Sequence, residues 1–310
     1  MSTEQKKCTI SADEIKRVKL LGFLQHKGTN KFNARVITRN GRVTSEEVEA
    51  LSNAAKLYGD GHLMLTTRLS FEVSGIDYEN IEAFREYIGK AGLFTGGTGP
   101  MVRPVVSCKG TTCQYGIYDT YALSNEVHER FYVGYHNIIL PHKFKIAVGG
   151  CPNNCLKASL NDVGIIGATI PKFNEELCKH CKKCKASAVC PMDACKTIDG
   201  KLTIDESKCI NCGRCVRHCP FEPFNESISG WKLFIGGRWG KKIAQGQRLS
   251  KIFTDKEELL DTIEKVILFF RSEGKAGERL ADTVKRIGFE KAEEMIMSNE
   301  LLERKDEILK

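Results

Sequence analysis

The stretch "CPNNC", Cys151 to Cys155, sets two thiols four residues apart. Thiolates are soft ligands for iron and zinc, and thiolate forms where positive charge lies close. Pro152 suits the first turn of a helix, where its missing N–H costs nothing. The spacing therefore predicts a helix start with Cys151 at the cap and Cys155 one turn on, on the same face. Free N–H groups and the positive end of such a helix favour thiolate and an electron-rich cluster of iron and sulfide. Two ligands do not complete a cubane. Cys108 and Cys113, in "CKGTTC", form the other close pair, and it too follows a strand, so both pairs are expected to meet where strands end. Against this stands the plainer reading of four free cysteines buried in a core.

Further along, the spacing changes. Cys178, Cys181 and Cys184 are followed by Cys190 and Pro191; Cys209, Cys212 and Cys215 are followed by Cys219 and Pro220. The second run matches the bacterial two-cluster ferredoxin pattern, in which the fourth cysteine of each run ligates the other cluster. That arrangement assigns Cys178, Cys181, Cys184 and Cys219 to one cubane and Cys209, Cys212, Cys215 and Cys190 to its neighbour. Five residues rather than three separate Cys184 from Cys190, which leaves Cys195 as an alternative remote ligand, although Pro191 favours Cys190. A zinc ribbon also uses CxxC pairs, but eight cysteines with two Cys-Pro endings point to electron transfer. Cys8 and Cys195 fall outside these groups and are expected to be bystanders.

Fourteen cysteines would suggest disulfides in a small secreted chain, but this one has 310 residues and a start, "MSTEQKKCTISADE", without the apolar stretch of a signal peptide. Metal binding is the better reading, and a soluble, cytoplasmic protein without membrane insertion is expected. The +8 formal charge does not indicate nucleic acid, because no basic helical stripe or aromatic-interleaved basic run accompanies it. Anionic cofactors are the better counterpart: each four-thiolate cubane carries roughly −2, so three of them would offset most of the excess.

The elements that must position these thiols follow from periodicity and caps. Ser11 and Glu14 box the start of a helix, "DEIKRVKLLGFL"; "FNARVIT" reads as a strand; Thr44 and Glu47 cap a second helix. "HLMLTT" and "SFEVSGI" alternate as strands, and Asp77 is expected to open a third helix. This order makes a split, antiparallel α/β layer. After the break at "GGTGP" come strands at "RPVVS", "KFKIAVGG" and "DVGIIGATI", with a helix around "YDTYALSNEVHERF". From Pro171 to about Asn225 the composition turns to cysteine, lysine and short loops, and reads as an insertion. The strand "GWKLFIGG" then resumes the earlier pattern, Thr254 and Glu257 are expected to cap "DKEELLDTIEKVILFF", and a charged helical tail follows.

The chain resembles the siroheme-dependent sulfite and nitrite reductases. In that family two such cysteine pairs hold a cubane, and the last cysteine also bridges to siroheme iron. "LTTRLSFEVSGI", "LPHKFKIAVGGCPNNC" and "LFIGGRWGKK" are similar to the family's segments, from about residue 30 to 270, and with its insertion the chain is most similar to the anaerobic sulfite reductases within that family. The fold class this implies is α+β. It would comprise a ferredoxin-like, parachute-type N-terminal half-domain (1–100), a siroheme and [4Fe-4S] α/β domain (101–171 and 227–272), an inserted bacterial two-[4Fe-4S] ferredoxin module (172–226) and a helical tail (273–310). The resemblance makes Cys155 the bridging thiolate and the cofactors siroheme and three [4Fe-4S] clusters. It places Arg68, Arg103, Lys143 and Lys145 at the substrate anion, where an oxyanion that must lose its oxygens needs fixed positive charge and proton donors. Periodicity alone would let Lys143 and Lys145 simply line the wet face of a strand. Arg35, Arg238, Lys241 and Lys242 are candidates for the cofactor's carboxylates, with surface exposure as their alternative. The implied activity is six-electron reduction of sulfite to sulfide, with nitrite reduction to ammonia, or a polyferredoxin-type carrier without siroheme, as alternatives. An electron-donor protein or partner reductase subunits and a homo- or hetero-oligomer are expected.

Overall fold

The structure is a computed structural model that describes residues 9–310, so Cys8 lies outside the described residues. The chain divides into two compact units. The first takes residues up to 106 together with 124–146 and 274–279. In it, Ser11 caps α1 (Ala12–Leu20), its hydroxyl accepting from the Glu14 N–H. Gly22, at φ 100°, ends the helix, and the next residues form β1 (Phe23–Gln25). The helix expected through Phe23 and Leu24 therefore stops earlier. A Cβ at position 22 would stand 2.4 Å from the Gly96 nitrogen, so this turn requires glycine.

β2 (Lys31–Val36) follows, then α2 (Ser45–Tyr58), opened by the complete Thr44/Glu47 capping box. β3 (Leu63–Leu65), β4 (Phe71–Asp77) and α3 (Ile81–Gly89) complete the layer. Asp77 does not cap α3, because one 3-10 turn, Tyr78–Asn80, intervenes. The four strands form an antiparallel sheet in the order β1-β2-β4-β3. Alternate residues of β2, Phe32, Ala34 and Val36, enter one core with Val18 of α1, Leu51 of α2 and Phe84 and Ile88 of α3.

The second unit holds residues 107–123, 147–273 and 280–310. β5 (Val106–Ser107) leads into it; α4 (Thr120–Val127) starts in it and continues into residues of the first unit, where a π-helical segment, His128–Val133, prolongs it. β6 (Ile146–Gly149) and β7 (Val163–Ile170) come next. The cysteine-rich segment carries α5 (Lys185–Ala188), a hairpin of β8 (Cys195–Ile198) and β9 (Lys201–Ile204), and α6 (Arg214–His218). β10 (Ile228–Ile235) then pairs antiparallel with β7 along its whole length, from Ile228 opposite Ile170 to Ile235 opposite Val163. The cysteine-rich segment thus leaves and re-enters the sheet at paired positions.

β11 (Gln247–Phe253), which periodicity does not indicate, completes the order β11-β10-β7-β6-β5. α7 (Lys256–Glu273) is capped by the Asp255 carboxylate, which accepts from the Glu258 N–H at 2.8 Å, rather than by Thr254. The tail helices α8 (Leu280–Ile287), α9 (Phe289–Met297), α10 (Glu300–Glu303) and α11 (Lys305–Leu309) pack on α7, and Lys305 pairs with the buried Glu264. Among the described residues no helix is long and apolar enough to cross a membrane.

Candidate cofactor and anion sites

Cys108 follows β5 directly. Its N–H donates to the Val148 carbonyl at 3.1 Å, and its own carbonyl accepts from the Thr120 hydroxyl at 2.8 Å. Its Sγ accepts from the Gly150 N–H at 3.1 Å. A Cβ on Gly150 would stand 3.0 Å from the Gly110 Cα and 3.4 Å from the Cys108 Sγ, so the loops carrying the two cysteine pairs touch through glycine. Cys113 closes the short turn Gly110–Thr112.

The segment after Cys151 is not the helix start that Pro152 suggests. Asn154 (φ 49°) and Lys157 (φ 54°) occupy the left-handed region, which cannot continue a right-handed helix. Asn154 holds the turn instead: its Oδ1 accepts from the Ala158 N–H at 2.7 Å and its Nδ2 donates to the Ser159 Oγ at 2.9 Å. Cys155 is exposed, while Cys108, Cys113 and Cys151 are partly buried. Burial pushes the Cys151 thiol up against the pull of the Asn153 N–H, and Cys108, Cys155 and Cys113 add to the rise. Burial also pushes the Tyr118 hydroxyl well up, reinforced by Cys108 and Cys151; that hydroxyl donates to the Gly149 carbonyl at 3.0 Å. Among the described residues no three Cys, His, Asp or Glu side chains are gathered to hold a single metal ion. A cubane keeps its thiolates wider apart than one ion does.

In the first unit, a cavity of about 300 Å³ collects Lys19, Arg35, Arg68, Arg103, Lys143 and Lys145, with Thr66, Thr67 and Thr98. None of its lining residues is acidic. The four residues expected at the substrate anion therefore line one cavity. Lys143 and Lys145 flank the fully buried Phe144, which makes an isolated parallel bridge to Val102 just before β6, so the expected strand starts only at Ile146, and both lysines line the cavity. Arg68 donates from Nη2 to the carbonyls of Pro104 (2.6 Å) and Ile146 (3.1 Å), which fixes its guanidinium. Arg103 and Arg35 both donate to the Gly97 carbonyl, and Arg35 also pairs with Glu72 at 2.5 Å. Burial pushes the Tyr132 hydroxyl up to about 12, against the pull of the Gly97 backbone and of Arg103 and Arg35. Sequence reasoning missed Lys19, the three threonines and Tyr132, although Thr66 and Thr67 stand in the "LTTR" segment and Thr98 in the "GGTGP" break.

Arg238, Lys241 and Lys242 do not line this cavity. They belong to the second unit, where Arg238 pairs with Asp282 at 2.7 Å and both lysines are exposed.

The cysteine-rich segment contains two further cavities. One, of about 250 Å³, is lined by Cys178, Cys181, Cys184 and Cys219, with Phe221 and the lysines 179, 183 and 185. The other is tight, about 20 Å³, and is lined by Cys190, Cys195, Cys209, Cys212 and Cys215. Cys219 lines the cavity of the first run, and both Cys190 and Cys195 line that of the second. Cys195, only 1% exposed, packs in the small core with Ala186, Leu202, Cys215 and Phe224. A hydrogen bond between Cys195 and Cys215 pulls the Cys215 thiol down and pushes Cys195 up.

Residues 98–305 match the nitrite and sulphite reductase 4Fe-4S domain, and residues 24–91 match the nitrite/sulfite reductase ferredoxin-like half domain. The chain belongs to the nitrite and sulfite reductase family. It is 31% identical over 249 residues to the coenzyme F420-dependent sulfite reductase of Methanocaldococcus jannaschii, covering 79% of this chain and 39% of that protein. With a subunit of the anaerobic sulfite reductase of Salmonella typhimurium it shares 30% identity over 221 residues, 64% of this chain and 61% of that one. It thus spans less than two thirds of either relative. The crystal structure of dissimilatory sulfite reductase I has the same fold, with a TM-score of 0.68 at 24% identity over 86% of this chain and 69% of that one.

Proposed function

We propose that the protein carries out a siroheme-dependent, six-electron reduction of sulfite to sulfide, with electrons entering through a two-cubane ferredoxin module formed by the cysteine-rich segment. The observation that carries this reading is the cavity in which six basic side chains meet with no acidic lining residue. An oxyanion is drawn to such a place, and its oxygens leave as water only when protons reach them. Arg68 and Arg103, held by backbone carbonyls, present fixed positive charge; Lys143 and Lys145 are the groups able to release a proton.

The thiols of Cys108, Cys113, Cys151 and Cys155 suit a cubane: two pairs on touching loops, with an N–H already directed at one sulfur. Cys155, the exposed member, is the thiolate suited to reach a second iron as well. Siroheme, when bound, supplies a redox-active iron with an open position for the anion. Arg35 and Arg238 are engaged by Glu72 and Asp282, which leaves Lys241 and Lys242 as the better candidates for the cofactor's carboxylates. Cys178, Cys181, Cys184 and Cys219 would hold one module cubane, and Cys209, Cys212, Cys215 and Cys190 the other. The Cys195 N–H, which donates to the Cys190 Sγ at 3.4 Å, favours Cys190 as the remote ligand. A second copy or a partner subunit would supply what the longer relatives carry in addition, and a separate donor protein the electrons.

The test is turnover of anaerobically purified protein with reduced methyl viologen and either sulfite or nitrite. Sulfide from sulfite is expected; ammonia from nitrite at a higher kcat/KM would reassign the substrate. Cubane absorption without siroheme bands would make the protein a polyferredoxin-type carrier, and siroheme-loaded protein that consumes neither anion would end the enzyme reading.

A further inference from the structure

Lys232 sits in β10 with only 8% of its surface exposed. Burying an ammonium is costly unless something in the fold meets it. Here Nζ donates to the carbonyl of Ile210 at 3.1 Å, and Ile210 lies between Cys209 and Cys212. Burial pulls its pKa down to about 8; Arg248 adds to the fall, while Cys209 and Cys212 work against it. The loop it grips is tied to the sheet a second time, by the Thr169 N–H donating to the Asn211 carbonyl at 2.8 Å. A Cβ on Gly213 would stand 2.7 Å from the Thr169 Oγ1. Among the described residues that line the other cysteine cavity, no cation is buried. Its lysines, 179, 183 and 185, are exposed, where water and salt screen them.

A cubane gains negative charge on reduction, and net charge, hydrogen bonding and exposure set its potential. A cation in a low-dielectric position near one site therefore favours the reduced form at that site. We propose that Lys232 is a positioning residue for electron flow: its charge raises the reduction potential of the cubane site of Cys190, Cys209, Cys212 and Cys215 above that of Cys178, Cys181, Cys184 and Cys219. One electron then passes from the site without the buried cation to the site with it, oxidising the first and reducing the second, with no bond broken and no proton moved. A low-potential, one-electron donor protein refills the first site. This inference rests on the reading that the segment holds two cubanes.

The experiment is a dithionite redox titration of the holo-protein, followed by electron paramagnetic resonance, for wild type, Lys232→Met, Lys232→Gln and Lys232→Arg. Lys232→Met and Lys232→Gln should lower one module midpoint by at least about tenfold in the one-electron equilibrium, ~59 mV. They should leave the other in place, and Lys232→Arg should restore the wild-type value. Glutamine keeps a donor for the Ile210 carbonyl without the charge, so the two neutral variants should agree. Unchanged midpoints in neutral variants that retain their iron would overturn the proposal. So would loss of the cluster from both neutral variants but not from Lys232→Arg, which would make Lys232 a structural tie. Wild-type protein without module cubanes would instead refute the two-cubane reading itself.

Discussion

The Gly150 N–H donates to the Cys108 Sγ across 3.1 Å, joining the loop of one cysteine pair to the first sulfur of the other. The contact exists because neither Gly150 nor Gly110 carries a Cβ: one on Gly150 would meet the Gly110 Cα at 3.0 Å and the Thr120 Cγ2 at 3.1 Å. Gly150→Ala should therefore push the loops apart, at about 1–3 kcal/mol of overpacking. The expected outcome is a lower Tm and a smaller cubane content on this domain, read from iron analysis and visible absorption after anaerobic purification. The module's own cubanes should survive.

Arg68 and the two cavity lysines should part company in mutants. The Arg68 guanidinium is bonded to the carbonyls of Pro104 and Ile146, so Arg68→Lys keeps the charge but loses the fork. Hydrogen bonds of a charged group contribute about 1.5–3 kcal/mol. A fall in Tm is expected together with a rise in KM for sulfite. Lys143→Met and Lys145→Met should instead cut kcat by about 10²-fold or more if they deliver protons, with little change in thermal melting. Equal losses of stability in all three would show that the lysines only support the wall.

His128 is 5% exposed, its Nδ1 meets no hydrogen-bond partner among the described residues, and its ring lies 4.9 Å from that of Tyr132. Burial depresses its pKa below the usual 6.5, with Glu129 opposing. Between the folded and unfolded values the unfolded chain binds more protons, so the stability associated with neutral His128 is complete above about 6.5 and declines as pH falls below it. His128→Phe removes this linkage. The difference in Tm between wild type and variant should shift against the wild type on acidification from about pH 7 to about pH 5; parallel melting curves would contradict it.

How much of this is legible in the chain depends on whether the signal is local. Cysteine spacing is local, and the residues it singles out line the two cavities of the segment, Cys219 with the first run and Cys190 and Cys195 with the second. The Ser11 and Thr44 caps are equally plain. Two local signals compete after Cys151: Pro152 suggests a helix, but Asn154 bonds its own backbone and side-chain neighbours and turns the chain. Asp255 displaces Thr254 as a cap for a similar reason, since both stand before the same helix and the carboxylate reaches the Glu258 N–H.

Non-local features leave no trace in spacing or periodicity; the resemblance alone groups Arg68, Arg103, Lys143 and Lys145, and it leaves out Lys19. Lys19 belongs to an ordinary charged helix, and nothing near it in the chain announces Arg103 or Lys145, yet all three line one cavity. Lys232 looks like the polar member of an alternating strand; its burial depends on a loop about twenty residues earlier. Periodicity reports which face is wet only when nothing folds back over it.

On the proposed reading, Cys108, Cys113, Cys151 and Cys155 would hold one cubane, and the Cys155 thiolate would also ligate siroheme iron. Mössbauer spectroscopy of iron-57-enriched protein, wild type against Cys155→Ser, addresses that bridge without relying on turnover. Magnetic coupling between one cubane and the siroheme iron is expected in the wild type, and it should be absent from the variant while both module cubanes persist. An uncoupled spectrum in wild-type protein that contains siroheme, or coupling that survives without the Cys155 sulfur, would contradict it.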